Sequence, residues 1–235
     1  RDVYKPKKGG INPWEAGGHH KNVAEKVLQE ALKEAKIEMN EVDIISYSAG
    51  PGLPPCLKET MLFSNGLAKK YKKKLIAINH AVAHIEIGRL ATKAKDPITL
   101  YVSGGNTQII GYAAKRYRIF GETIDIPIGN CIDTFMRDTI VENAAFSGPL
   151  FDELASKGKK YIELPYVVKG MVLSFTGILT AALQKYKKEK IEDLRYSIQE
   201  TCYAMLCEVS ERALAHTCKN ELMITGGVAA SKRLQ

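Results

Sequence analysis

The spacing of apolar residues along the chain changes repeatedly between the period of a helix and that of a strand. Over residues 19–35, apolar side chains recur at three- and four-residue intervals, which predicts an amphipathic helix. Over residues 42–48, a short apolar run ends in a loop containing Gly50 and Gly52, which is typical of a buried strand. Further helices are predicted over residues 57–70, 80–94, 127–141, 150–156, 174–188 and 191–217. Further strands are predicted over residues 75–79, 99–103, 108–113, 117–124 and 222–225. Because strands alternate with helices, we expect an α/β fold.

Composition narrows the class of protein. The 235 residues are 45% hydrophobic and 26% charged, the balance of a globular protein, which excludes a disordered or collagenous chain. The longest uncharged stretch, residues 97–114, is interrupted by Gly104 and Gly105, so we expect no membrane-spanning helix. Five cysteines without a CxxC pair favour a reducing compartment over a disulfide framework. With 34 Lys+Arg against 26 Asp+Glu, the net charge of +8 leaves a polyanionic partner open.

Two histidines four residues apart are the sharpest chemical feature. On the helix predicted from residue 80, His80 and His84 lie on one face, where both imidazoles can reach one metal cation. A zincin-type metalloprotease needs Glu at the second position of this motif as its general base, and Ala81 stands there. The motif therefore fits metal binding without peptide hydrolysis, and two unrelated surface histidines are the alternative.

Two predicted strands run into paired glycines. One ends in Ser-Gly-Gly-Asn at residues 103–106, and the other in Gly226-Gly227 ahead of a predicted turn into a helix. Since glycine carries no side chain, the backbone N–H groups of such turns can approach a phosphate closely. A single turn of this kind is more often an ordinary hairpin. Two in one chain indicate a nucleotide held between two halves of the protein.

Charged side chains offer weaker signals. Asp133, on a predicted helix, could accept ribose hydroxyls or orient a cation, and the alternative is a solvated helix carboxylate. Asp152 lies near a helix start, where carboxylates are favoured in any case. Lysine clusters at residues 69–74, 157–160 and 185–190 could contact a phosphate backbone or could be ordinary solvated surface.

Short motifs spread over nearly the whole chain resemble one known family, the tRNA threonylcarbamoyladenosine transferases. In archaea and eukaryotes this family provides the catalytic subunit of the KEOPS complex, and the present chain resembles that branch. The matching runs, in the family's order, are residues 9–11, 19–20, 50–53, 79–86, 101–108, 120–125, 129–133, 163–166, 168–171, 174–177, 199–201, 211–216 and 226–230.

The resemblance implies a fold and a domain organisation. It implies an actin-like (ASKHA) two-lobed ATPase fold, with the remainder of the N-terminal lobe over residues 1–100 and the second lobe over residues 101–235. The family's first strands would precede Arg1, and its closing Asp-Asn-Gly motif, which supplies an Asp metal ligand, would follow Gln235. We therefore expect the chain to be the middle part of a longer enzyme.

Site residues follow from the same resemblance. It implies one divalent metal ion, Fe or Zn, with His80, His84 and Tyr101 among its ligands, and it assigns no acid–base catalyst. It implies contacts to an adenine nucleotide, the ATP or the AMP moiety of threonylcarbamoyl-AMP, for Ser103, Gly104, Gly105, Asn106, Asp133, Gly148, Asp152, Gly226, Gly227 and Ser231.

The implied activity is an acyl transfer to tRNA. The family moves a threonylcarbamoyl group from threonylcarbamoyl-AMP to N6 of the adenosine 3′ to the anticodon, in tRNAs that read ANN codons. The implied partners are tRNA, a small kinase-like ATPase subunit, a small dimerising subunit and other KEOPS subunits. No membrane association is implied. The implied location is cytoplasmic, and also nuclear in a eukaryote.

Three residues depart from the family's pattern. Asn12 stands in place of a usual His, Val172 in place of an Asp, and Ser231 in place of an Asn that contacts substrate. They motivate an alternative, a weakly active scaffold subunit of the same complex. The glycine turns alone would also fit a generic actin-like ATPase or sugar kinase, and a metallopeptidase ranks last for want of the zincin Glu.

Overall fold

The chain folds into helices and strands in alternation. The computed structural model describes residues 2–4, 11–139 and 148–235. Its helices are α1 (Pro13–Ala35), α2 (Pro54–Tyr71), α3 (His80–Thr92), α4 (Ile128–Thr139), α5 (Gly148–Ala155), α6 (Thr176–Lys185) and α7 (Ile191–Thr217). Its strands are β1 (Ile44–Gly50), β2 (Lys74–Asn79), β3 (Ile98–Val102), β4 (Thr107–Ala113), β5 (Arg116–Glu122), β6 (Val168–Lys169), β7 (Val172–Leu173) and β8 (Leu222–Thr225). Short 3₁₀ helices cover Met39–Glu41 and Val228–Ala230. The expected α/β class is confirmed.

Apolar spacing predicted the long elements well. The predictions for residues 191–217 and 222–225 match α7 and β8 residue for residue. The helix predicted over residues 127–141 is α4, and residues 140 and 141 lie outside the described part of the chain. The β6–β7 ribbon was missed because a two-residue strand has no period to detect; it turns at Gly170, whose φ is +61°.

The first helix begins earlier than predicted, at Pro13 rather than at residue 19. The Asn12 side chain accepts hydrogen bonds from the backbone N–H groups of Trp14, at 3.0 Å, and Glu15, at 3.3 Å. Asn is a favoured N-cap, and proline at the first helical position has no N–H to leave unsatisfied. The Asn-Pro pair is therefore the start signal that the apolar spacing did not show.

Contacts divide the chain into two compact units, one ending at Ala83 and one beginning at His84. In the first unit, β1 and β2 pair in parallel, α2 packs against β1, and α1 packs against α2. A Cβ on Gly17 would lie 2.8 Å from the Cβ of Pro55, so the absence of a side chain permits the close approach of the two helices. The predicted lobe boundary near residue 100 stays a prediction.

The second unit is built on a four-stranded mixed sheet in the order β5-β4-β3-β8. Its core joins buried side chains of β3 and β4 to those of the surrounding helices, among them Phe135 of α4, Phe151 of α5, Ile178 of α6 and Leu206 of α7. All five residues of β3 are buried, as expected for a central strand covered on both faces. The sheet therefore gives firm support to the turns that follow its strands.

One edge of that sheet carries both predicted glycine turns. Strands β3 and β8 run in parallel, with Tyr101 opposite Thr225. Because parallel strands end at the same edge, the residues that follow each strand emerge side by side, which is where ligands bind in open α/β sheets.

Among the described helices, none combines the length and apolar character that crossing a bilayer requires.

Candidate nucleotide site and metal ligands

The first glycine turn is shaped by a serine inside it. Ser103 N donates to Asn106 O at 2.8 Å, and Ser103 Oγ accepts from the N–H groups of Gly105, at 3.3 Å, and Asn106, at 3.0 Å. A Cβ placed on Gly104 or Gly105 would meet no atom within 4 Å. The turn is therefore held from within, while the backbone at its tip is open to a ligand.

The second glycine turn lies directly on the end of β3. Gly226 has a φ of +100°, and a Cβ there would lie only 2.2 Å from the carbonyl oxygen of Val102. Gly227, by contrast, has a φ of −63° and open space around the position of a Cβ. The first glycine of the pair is required by packing, and the second leaves backbone exposed.

The N-terminal turn of α4 packs against the first glycine turn. A Cβ on Gly129 would lie 2.6 Å from Ser103 O and 2.7 Å from Gly104 N. The buried hydroxyl of Thr107, the first residue of β4, accepts from Ile128 N at 2.9 Å. A helix N-terminus favours negative charge, so α4 adds to a site suited to an anion. Asp133 lies on the same helix and is partly exposed.

Asp152, on α5, is held by two side chains of α7. Its Oδ1 accepts a hydrogen bond from Gln199 Nε2 at 2.7 Å and one from the Tyr203 hydroxyl at 3.4 Å. Burial raises the pKa of Tyr203, so its phenol stays protonated and can donate. Gly148 is the exposed first residue of the same helix, α5.

Ser231 ends the segment that leaves the second glycine turn. It is 8% exposed, and its Oγ is buried without a hydrogen-bond partner in the described part of the chain. Its side chain is close enough to Tyr203 for the hydroxyl to oppose part of the rise in the pKa of that phenol. The segment from Gly226, which packs against Val102, to Ser231 thus ends near Tyr203, one of the two residues that hold Asp152.

Of the predicted metal ligands, the structure brings His84 and Tyr101 together. Their ring centroids are 5.0 Å apart, and Tyr101 is 1% exposed. His80 is the first residue of α3, one turn before His84 on the same helix. In residues 2–4, 11–139 and 148–235, no group of three or more His, Cys, Asp or Glu side chains could hold a metal ion together. The predicted ligand set of His80, His84 and Tyr101 therefore stays a prediction.

Comparison with known proteins now decides the family. The family model for TsaD, tRNA N6-adenosine threonylcarbamoyltransferase, matches residues 1–235. The chain belongs to this family. It is 51% identical to the tRNA N6-adenosine threonylcarbamoyltransferase of Thermofilum pendens, over 99% of this chain and 69% of the relative. It is 52% identical to the probable bifunctional tRNA threonylcarbamoyladenosine biosynthesis protein of Methanocaldococcus jannaschii, over 99% of this chain.

The match to that bifunctional relative spans 43% of the relative's length. Among solved structures, HypF from T. kodakarensis superposes with a TM-score of 0.70 at 11% identity, over 89% of this chain and 38% of HypF. A likeness at that identity concerns the fold alone. The predicted family, its class of enzyme and the α/β, actin-like fold are confirmed.

Two of the three departures from the TsaD pattern have a structural role that the sequence alone did not show. Asn12 caps α1, as described above. Val172 pairs with Lys169 in the β6–β7 ribbon and is 37% exposed. Neither side chain leaves an unmet polar group behind. The third departure, Ser231, is the one whose buried hydroxyl has no partner among the described residues.

Sequence reasoning also missed the role of an aspartate within a TsaD motif. Asp125 accepts four hydrogen bonds, from Thr123 Oγ1 at 2.9 Å, Ser174 Oγ at 2.5 Å, Phe175 N at 2.9 Å and Thr176 N at 3.0 Å. Burial acts to raise its pKa, but these hydrogen bonds outweigh burial and hold the pKa well below its usual range. Asp125 therefore caps α6 from a distant segment. Only its place just after the predicted strand 117–124 could have hinted at this.

Proposed function

We propose that the protein transfers a threonylcarbamoyl group from threonylcarbamoyl-AMP to N6 of the adenosine 3′ to the anticodon in tRNAs that read ANN codons. It would do so as the catalytic subunit of a KEOPS-type complex. The observation that carries the proposal is the convergence of three backbone segments: Gly226 lies on Val102, and Gly129 lies on the turn at Ser103. Such a cradle suits the adenylate of the acyl donor.

The reaction explains why an adenylate cradle matters. An adenine amine is a weak nucleophile, so the acyl group must arrive as a mixed anhydride and be held accurately. A C–N bond forms between N6 and the carbamoyl carbon, and the bond from that carbon to the phosphate oxygen breaks. AMP leaves with the electron pair, and N6 loses a proton. No side chain is assigned as an acid or base, so positioning supplies the catalysis.

Each part of the site has a role in this proposal. The backbone at Gly104, Gly105 and Gly227, where a Cβ would meet no atom within 4 Å, would let the phosphate approach closely, with α4 adding its N-terminal dipole. The carboxylates of Asp133 and Asp152 would contact the ribose, and a Cβ on Gly148 would meet no atom within 4 Å. The full set of proposed nucleotide contacts is Ser103, Gly104, Gly105, Asn106, Asp133, Gly148, Asp152, Gly226, Gly227 and Ser231.

A metal ion is part of the proposal. The imidazoles of His80 and His84 and the phenol oxygen of Tyr101 would hold Fe or Zn, which as a Lewis acid would hold or polarise the acyl donor. The Tyr101 hydroxyl accepts a hydrogen bond from Asn106 Nδ2 at 3.3 Å. Because Asn106 also closes the first glycine turn, it ties the orientation of the phenol to the shape of the phosphate cradle.

The proposed partners follow the family. A net charge of +8 suits tRNA, whose phosphates are polyanionic, although charge alone does not identify it. The probable bifunctional relative from M. jannaschii carries a second function by its name, and this chain matches 43% of it. We propose that a small kinase-like ATPase supplies a separate activity, together with a small dimerising subunit, in the cytoplasm.

The test uses the full-length protein assembled with its partner subunits, tRNA and labelled threonylcarbamoyl-AMP. The double variant His80→Ala/His84→Ala should lose bound metal and transfer at least about 100-fold less label to tRNA, because ligand loss removes the Lewis acid. Elemental analysis measures the metal, and acid-precipitable label measures transfer. His216→Ala, an exposed histidine in the last turn of α7, is the matched control and should behave as wild type.

The outcomes separate the alternatives. Full transfer by the double variant would reject the metal role while leaving the transferase. Absence of transfer by the wild type, with AMP still bound, would favour the scaffold subunit, for which the buried and unpartnered Ser231 hydroxyl is the specific observation among the described residues. In that case Ser231→Asn should restore transfer.

A further inference from the structure

Asp152 is oriented by two side chains of α7 that the family motifs do not place in the site. Gln199 is 4% exposed and Tyr203 is 5% exposed, and their four-residue spacing sets them on one face of the helix. Both donate to the same carboxylate oxygen, Oδ1, at 2.7 Å and 3.4 Å. Among the described residues, the hydrogen bonds to the Asp152 side chain both reach that one oxygen.

We propose that Gln199 and Tyr203 are positioning residues that fix the Asp152 carboxylate so that Oδ2 accepts a hydroxyl of the nucleotide ribose. This inference rests on the proposed function, because it needs an adenylate in the cradle. It adds that ribose recognition is set from α7, a helix that contributes no predicted nucleotide contact.

The chemistry of the donors supports this role. A hydrogen bond from a neutral amide to a carboxylate is charge-assisted, and it is stronger in a buried setting than in water. Gln199 cannot change its charge with pH, and burial keeps the Tyr203 phenol protonated, so both groups donate throughout the neutral range. A carboxylate locked at one oxygen presents the other in a fixed direction.

Tyr203 extends the arrangement to the second glycine turn. It lies between Asp152, to which it donates, and Ser231, which follows that turn. The bidentate pair between Arg233 and Glu200, with nitrogen–oxygen distances of 2.7 Å and 2.6 Å, anchors the same segment to α7 one residue from Gln199. The carboxylate of Asp152 and the segment that follows the second glycine turn are therefore both attached to the same helix, α7.

The test measures binding, not turnover. Isothermal titration of the full-length protein compares AMP with its 2′-deoxy and 3′-deoxy analogues. Wild type should prefer AMP by about 10-fold over at least one analogue, the range for a hydrogen bond to a charged group. Gln199→Leu should weaken AMP binding by about 5-fold and reduce that preference to about 2-fold, because the carboxylate is no longer held in one orientation. Tyr203→Phe should produce a smaller loss in the same direction, since its bond is longer.

A double-mutant cycle separates positioning from general damage. In the Asp152→Asn background, Gln199→Leu should cause no further loss of AMP affinity, because the group it orients is already altered. Ser210→Ala is the matched control: Ser210 is buried on the same helix, and its hydroxyl has no partner in the described part of the chain. It should leave the preference for AMP unchanged.

Two kinds of failure are distinct. If wild type binds no AMP, the proposed nucleotide site falls; if it binds AMP and both analogues equally, the phosphate cradle stands and the ribose contact of Asp152 is wrong. If wild type discriminates but Gln199→Leu and Tyr203→Phe discriminate equally well, only the positioning role is overturned. Should Gln199→Leu fail to fold, Tyr203→Phe, which removes a single hydroxyl, decides the outcome alone.

Discussion

The two glycine turns have similar sequences but are built for different reasons. After β3, both glycines are open, and the turn keeps its shape because the Ser103 hydroxyl accepts two backbone N–H groups. After β8, the first glycine is required for two reasons. The φ of +100° at Gly226 is one that other residues rarely adopt, and the carbonyl oxygen of Val102 leaves no room there for a side chain. A glycine pair therefore combines two separable properties, close packing of the backbone and access for a ligand.

The same contrast separates two carboxylates of the second unit. Asp125 receives donors on both oxygens, and they hold its pKa low, so it acts as a structural cap for α6. Among the described residues, the donors to the Asp152 side chain, Gln199 and Tyr203, both reach Oδ1. A carboxylate with donors on both oxygens suits a structural role, and the proposed ribose contact of Asp152 uses the oxygen that Gln199 and Tyr203 do not contact.

The largest expected effect comes from Gly226→Ala. A methyl group there would lie 2.2 Å from the Val102 oxygen in a backbone conformation that L-residues rarely adopt. We expect the free energy of unfolding to fall by about 3 kcal/mol or more, the sum of backbone strain and overpacking. Urea unfolding followed by circular dichroism measures it. A variant as stable as wild type would show that the turn relaxes, and that Gly226 and Gly227 are alike after all.

The next effect in size concerns Asp125. Asp125→Ala removes the acceptor of four hydrogen bonds, two of them from the start of α6, and should lower the free energy of unfolding by about 2 kcal/mol. Asp138→Ala, which breaks only a surface ion pair with Arg137, is the control and should stay within about 0.5 kcal/mol of wild type. If both variants lost the same free energy of unfolding, the hydrogen bonds of Asp125 would contribute no more to stability than a surface ion pair does.

The pH dependence of stability sharpens the assignment of Asp125. Its pKa is lower in the folded than in the unfolded protein, so the folded state favours the ionised form. This contribution is fully present above the unfolded pKa of about 4 and is lost as the pH falls toward the lower folded pKa. Unfolding midpoints between pH 7 and acid should therefore fall less steeply for Asp125→Asn than for wild type. If the midpoints of wild type and Asp125→Asn fell in parallel with pH, the capping role of the ionised Asp125 would be contradicted.

Which of these features the sequence could reveal depends on the range of the contacts. Apolar periodicity located α7 and β8 to the residue, because a long buried helix and a short buried strand carry their own pattern. Paired glycines marked both turns. What periodicity could not supply is the partner of each group: Gln199 contacts Asp152 across 47 residues of chain, and Asp125 contacts Thr176 across 51. Only folding brings such groups together.

The smallest expected change in stability comes from Gly227→Ala. Its φ of −63° suits any residue, and a Cβ would meet no atom within 4 Å, so the free energy of unfolding should change by no more than about 0.5 kcal/mol. AMP affinity should nevertheless fall by about 5-fold, because a methyl group would stand where a phosphate approaches the open backbone. Titration calorimetry measures the affinity, and Gly177→Ala, on the exposed start of α6, is the control. Unchanged AMP binding in Gly227→Ala would mean that open space at a glycine does not imply ligand access, and the contrast between the two glycines of this turn would then concern packing alone.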